Sequence, residues 1–125
     1  MKVVDAGVVI ELLVSGLDPA RLGDDDLAAP HLLDTEVTHV LRRLVRQAHL
    51  HDDQALQALD GFRRLQLRRY PAEPLLARMW ELRSSLSAYD ATYVAVAEAV
   101  GAIALLTTDA RLAHAPGIRC SVQLL

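Results

Sequence analysis

A single cysteine, Cys120, excludes an internal disulfide and any cysteine-rich zinc site, and leaves a small residue suited to the core. No apolar run approaches the ~20 residues of a membrane span, and Asp5 interrupts the apolar start too early for a signal peptide. These absences predict a cytoplasmic protein without membrane contact. Positive charge is not in excess either: the formal net charge of −3 argues against a protein that coats nucleic acid through a broadly basic surface. No repeat, low-complexity tract or linker interrupts the 125 residues, a length that suits one domain over 1–125.

The charge that is present is unevenly spread. Lys2 is the only lysine, while Arg42, Arg43, Arg46, Arg63, Arg64, Arg68 and Arg69 crowd one half and Asp24, Asp25 and Asp26 form an acidic run. Arginine's planar fork suits phosphate oxygens, although a GC-rich genome produces the same bias.

Read in order, residues 1–4 form a short buried strand, Gly7 lets the backbone turn, and 8–14 continue as a helix. Residues 17–26 are a Gly, Pro and Asp rich loop with one helical turn at most, and 27–29 a second short strand. Pro30 suits the opening of a helix running to about His49, with Leu33, Val37, Val40, Leu41 and Leu44 in one apolar stripe. A helix over 52–65 would bury Leu56, Leu59 and Phe62, and 66–70 read as an edge strand. A helix over 75–86 would turn Leu76, Met79, Trp80 and Leu82 toward the core; Trp80 reads as packing, not as a platform for bases. A helix over 88–101 is apolar on nearly every face and ends at Gly101, followed by a buried strand over 103–106 and a last strand within 118–125. Strands alternating with helices predict an α/β fold: three α/β/α layers around a mainly parallel sheet of four to five strands.

Four carboxylates stand out against this pattern. Asp5 and Asp109 follow strands at the same edge of the sheet, the edge where open α/β sheets bind ligands. Asp90 enters from the first turn of the apolar helix, and Glu36 from the margin of its stripe, with Arg43 further along that margin. Arg83 precedes the acidic helix and can reach its mouth or form a surface salt bridge. Each acid alone has a structural explanation. Asp5 and Asp109 suit helix N-caps, Ser87 with Asp90 resembles a capping box, and Glu36 suits the positive end of a helix dipole; Glu11 simply faces solvent. Convergence changes their meaning, because two unit charges ~4 Å apart repel by about 4 kcal/mol at an effective dielectric of about 20. A cation relieves that repulsion, and an all-oxygen donor set suits Mg²⁺ or Mn²⁺ over zinc. Thr107 or Thr108 is placed to orient a water.

The segments VVDAGVVIELL, APHLLDTEVTHVLRRLV, LRSSLSAYDATYVAVAEAVGA and LLTTDARLA, taken together and in this order, resemble the PIN-domain ribonuclease toxins of the VapC family. The resemblance implies a PIN-like fold, an Mg²⁺-dependent endoribonuclease acting on transfer RNA or another structured RNA, a toxin–antitoxin system with a VapB-type antitoxin as partner, and a homodimer. By position, Asp5, Glu36, Asp90 and Asp109 match its acidic quartet, with Asp5 and Asp90 as primary metal ligands and Glu36 and Asp109 completing, directly or through water, the shell of a second ion. Thr107 matches its hydroxyl residue, and Arg43 and Arg83 would hold the substrate backbone. Gly7 departs from the small hydroxyl residue usual at its place. The alternative is a catalytically silent PIN-like module that sequesters a partner protein. A phosphatase of the haloacid dehalogenase kind would want an acid where Gly7 stands, and a phosphoacceptor receiver would want paired acids at the end of the first strand.

Overall fold

A computed structural model describes all residues 1–125. Five strands, β1 (Lys2–Val4), β2 (Leu27–Pro30), β3 (Leu67–Tyr70), β4 (Leu105–Thr107) and β5 (Val122–Leu124), form one sheet in the order β3-β2-β1-β4-β5, with every pairing parallel. Six helices connect them: α1 (Ala6–Val14), α2 (Leu32–Arg46), α3 (Asp52–Arg64), α4 (Leu76–Glu81), α5 (Ala88–Ala99) and α6 (Ala110–Ala113). Helices α1, α2 and α3 pack on one another, and α4 packs on α5, which runs across β1, β2 and β4. This is the three-layer α/β/α arrangement expected.

The chain builds the sheet outward from β1 to β3, then returns through α4 and α5 to lay β4 on the other side of β1. The reversal leaves a crevice between the carboxyl ends of β1 and β4, the place where such sheets hold ligands. Helix α5 fixes one wall of it. All seven residues from Ala91 to Ala97 are buried, so the helix cannot rotate without exposing apolar surface. Its N-cap Ser87 accepts a hydrogen bond from the Asp90 N–H at 3.1 Å, and Gly101, at φ +63°, supplies the left-handed residue after its end.

Several local expectations need correction. Pro30 is the last residue of β2, opposite Tyr70, and α2 begins at Leu32 and ends at Arg46, where Ala48 adopts φ +60°. In α3 the buried side is Ala55, Ala58 and Phe62, and Leu56 is 62% exposed, because the small alanines let α3 approach its neighbours closely. The expected 75–86 helix stops at Glu81 and gives way to turns through a serine-rich stretch whose last serine caps α5. Leu82 is buried as expected and Met79 packs against the core, but Leu76 and Trp80 face solvent, Trp80 at 67%. Ile103 lies outside the strand and is exposed, while Thr107 is inside it and fully buried. Glu11 is exposed and Cys120 half-buried against the core, where burial pushes its thiol up.

Candidate active site

The crevice gathers the acids through backbone register. Val4 lies opposite Leu106 in the β1–β4 pair, so the next residues, Asp5 and Thr107, face each other. The Thr107 hydroxyl donates to Asp5 Oδ2 at 2.5 Å, while the Val8 N–H donates to Asp5 Oδ1 at 3.0 Å. Thr107 Oγ1 in turn accepts the Asp109 N–H at 3.0 Å. One buried hydroxyl thus ties two acids together and, being engaged on both sides, is not the group that orients a water. Asp109 caps α6 by accepting from the Arg111 N–H at 2.9 Å, and the Arg111 guanidinium grips both its oxygens, Nε at 3.1 Å and Nη2 at 2.9 Å. Glu36 is half-buried, and its Oε1 accepts the Tyr93 hydroxyl at 2.7 Å. The capping role and the shared location hold together: Asp5 and Asp109 are N-caps that also meet across the crevice.

Proximity makes the acids influence one another. Burial pushes the Asp5 carboxyl above its ordinary value, with Asp90 and Asp109 adding to the push and the Thr107 and Val8 hydrogen bonds opposing it. Burial also raises Glu36, against the Tyr93 hydrogen bond and with help from Asp90 and Asp5. Asp90 is raised by burial and then by Asp109. Only Asp109 is held low, by Arg111. Asp5 and Asp90 therefore stand at the centre, with Glu36 on one side and Asp109 on the other. Burial and Glu36 together push the Tyr93 phenol far up, so it stays a donor at any working pH.

Two shallow clefts flank this centre. One of about 340 Å³ is lined by Ser85, Ser87, Asp90, Asp109 and Arg111. The other, about 440 Å³, is lined by Thr35, Glu36, His39, Arg43 and Tyr89, which puts Arg43 beside Glu36 as expected. Arg83 is elsewhere engaged: it stacks over the Trp80 ring at 4.6 Å, donates to the Trp80 carbonyl at 2.9 Å, and makes no contact with the four acids. Tyr93 and Arg111 escaped the sequence reading. Tyr93 lies three residues after Asp90, one helical turn along the same side, which is the signal that would have found it.

A family model described as PIN domain matches residues 2–118. The chain belongs to the PIN-domain family. Among relatives, this PIN domain is 43% identical over 128 residues to ribonuclease VapC1 of Mycobacterium tuberculosis (strain ATCC 25618 / H37Rv), covering 98% of this chain and 96% of that one. It is 40% identical over 125 residues to VapC ribonuclease Mb0985 of Mycobacterium bovis (strain ATCC BAA-935 / AF2122/97), covering 99% and 98%. A toxin-antitoxin complex from Klebsiella pneumoniae contains a chain of the same fold, with a TM-score of 0.70 at 19% identity over 98% of this chain and 96% of that one.

The donor set of this PIN domain fits a hard divalent cation. It is all carboxylate, three of its members are raised, and Asp5, Glu36 and Asp90 have no salt-bridge partner in the fold. The acids are not, however, drawn into a ready-made cage of three or more ligands. Holding an ion with three or more of them would require at least one to shift inward.

Proposed function

We propose that this PIN domain is the toxin of a toxin–antitoxin system, a Mg²⁺- or Mn²⁺-dependent endoribonuclease that hydrolyses phosphodiester bonds in transfer RNA or another structured RNA. The observation that carries the reading is the gathering of Asp5, Glu36, Asp90 and Asp109 at one sheet edge, with no salt-bridge partner for Asp5, Glu36 and Asp90. The VapC names of full-length relatives support the same class.

Asp5 and Asp90 would hold a divalent ion from the two sides of the crevice, with Glu36 and Asp109 at its flanks. When bound, the ion supplies a lowered pKa for water and positive charge beside the phosphate. Thr107 keeps Asp5 and Asp109 in register, and Tyr93 keeps Glu36 aimed at the centre. Arg43 borders the Glu36 cleft and offers its guanidinium to the RNA backbone. Water adds to phosphorus, the bond to the 3′-oxygen breaks, and the products carry a 5′-phosphate and a 3′-hydroxyl. End-labelled RNA incubated with Mg²⁺ tests this. Cleavage leaving those ends, and stopped by a chelator, is expected; cleavage unaffected by the chelator would overturn the metal role.

The open spacing of the acids favours a second reading, a catalytically silent PIN module that sequesters a partner protein. Chelator-sensitive cleavage excludes it. In the leading reading the protein acts in the cytoplasm as a homodimer, checked by light scattering, and no helix is long and apolar enough to cross a membrane. A VapB-type antitoxin silences it by laying an arginine among the acids, so antitoxin affinity falls as Mg²⁺ rises. Equal affinity at zero and saturating Mg²⁺ counts against that route.

A further inference from the structure

Two threonines follow one another at the end of β4, and the fold treats them differently. Thr107 is fully buried with its hydroxyl engaged on both sides. Thr108 is exposed, and its hydroxyl has no partner within the protein. Its position depends on Gly7. A Cβ on Gly7 would overlap Thr108 Oγ1 and would stand 3.5 Å from Asp5 Oδ1 and 3.7 Å from Thr108 Cβ. The empty side-chain place of Gly7 is therefore filled by the Thr108 hydroxyl, beside the most buried of the four acids.

We propose that Thr108 is a positioning residue of the acidic site, whose hydroxyl hydrogen-bonds the water shell of the divalent ion carried by Asp5, and that Gly7 is there to make room for it. The inference rests on the metal-dependent reading above. It assigns to Thr108 the outward hydroxyl that Thr107 cannot supply, and it gives Gly7 a reason beyond backbone freedom. Because the overlap is with the free end of a threonine side chain, an alanine at position 7 evicts the hydroxyl by rotation without breaking the fold.

The test uses the purified chain and Mn²⁺ without RNA, reading the Mn²⁺ concentration that gives half the maximal rise in melting temperature. Thr108→Val, which keeps the shape and removes the hydroxyl, is expected to raise that concentration roughly three- to tenfold, the range for one lost hydrogen bond. Gly7→Ala should do the same. The double variant should be no worse than either alone, because both changes remove one and the same contact. Thr108→Ser should restore the wild-type response. Melting temperatures without metal should stay close to wild type in all four, which separates the effect from damage to the fold. An unchanged Mn²⁺ midpoint in Thr108→Val, additive losses in the double variant, or a defect seen only when RNA is added would overturn the proposal. If the wild type itself neither responds to Mn²⁺ nor shows chelator-sensitive cleavage, the nuclease reading falls and Thr108 with it. If the wild type does both and the variants match it, Thr108 alone is misassigned.

Discussion

Helices α2 and α5 each carry two acids, and in each helix one acid is matched to arginine while the other is left without a cation. On α2, Asp34 receives Arg69 through Nε and Nη2 at 2.8–3.0 Å, whereas Glu36, two residues on, has only the neutral Tyr93 hydroxyl. On α5, Glu98 is gripped by Arg78 at 2.8 and 2.9 Å and by the Arg119 N–H at 2.9 Å, which holds its carboxyl below the ordinary range, whereas Asp90 at the other end is pushed up. The fold neutralises the acids that tie it together. Glu36 and Asp90, at the crevice, are left for something that arrives from outside.

The sharpest way to break this division is to remove one acid of each kind. Asp90→Asn should lower the rate of RNA cleavage by roughly 10²–10⁴, the usual loss for a group acting directly at the reacting centre, with the fold intact by circular dichroism. Asp34→Asn should leave the rate within about twofold and affect only stability, by under ~1 kcal/mol for a partly exposed pair. Retained activity in the first variant, or equal loss in both, would erase the distinction.

Stability should respond in the opposite sense. Glu98→Gln leaves the mostly buried Arg78 without its main partner. Such a loss costs about 2 kcal/mol where water still reaches the pair, or ~6–10 °C in melting temperature for a domain of this size. Cleavage measured well below the new melting point should be unchanged. The pH dependence follows from the direction of the shift: Glu98 stabilises the fold above its ordinary value of 4.5, and that contribution disappears as pH falls through its depressed folded value.

Asp90 has the reverse sign. Its folded value lies above the ordinary 3.8, so the folded chain holds its proton more tightly than the unfolded one does. Its own contribution to stability is fully present below 3.8 and is lost as pH rises through the raised value. In chelator, Asp90→Asn should therefore melt about 2–5 °C higher than wild type at neutral pH, with the gap closing as pH approaches 3.8. A gap that persists in acid would mean that asparagine improves packing and that charge is irrelevant.

How much of this was legible in the chain depended on whether neighbours could be inferred from spacing. Helix α5 was readable because apolar residues occur on all its sides, and Asp5, Asp90 and Asp109 because each follows directly on a strand end or opens a helix. The sheet edge then collected them with no further information. The orientation of short amphipathic segments was not readable. In α3, counting apolar bulk favours Leu56, but close helix packing selected Ala55 and Ala58. Trp80 was turned outward because it shares the solvent face of α4 with Leu76, one turn before it, while Leu75, Met79 and Leu82 take the core side, and its indole became a surface for Arg83. That contact also removed Arg83 from the site to which sequence order had assigned it. The asymmetry between Thr107 and Thr108 was equally invisible, since only strand register decides which hydroxyl points inward.

The smallest expected effect concerns Asp109, the one crevice acid with a resident cation. Arg111 is 90% exposed in its side chain, so its hold on Asp109 is weak and screened by salt. If the guanidinium competes with a divalent ion for Asp109, Arg111→Ala should lower the Mn²⁺ concentration needed for half-maximal thermal stabilisation by about twofold. The difference from wild type should vanish in ~1 M salt, where the Debye length shrinks to about 3 Å. A higher Mn²⁺ requirement in Arg111→Ala would reverse the assignment, making Arg111 a support that aims Asp109 at the ion. Asp109 would then stand with Asp5 and Asp90 as an acid of the site, its arginine serving the ion and not, as for Asp34 and Glu98, the integrity of the fold.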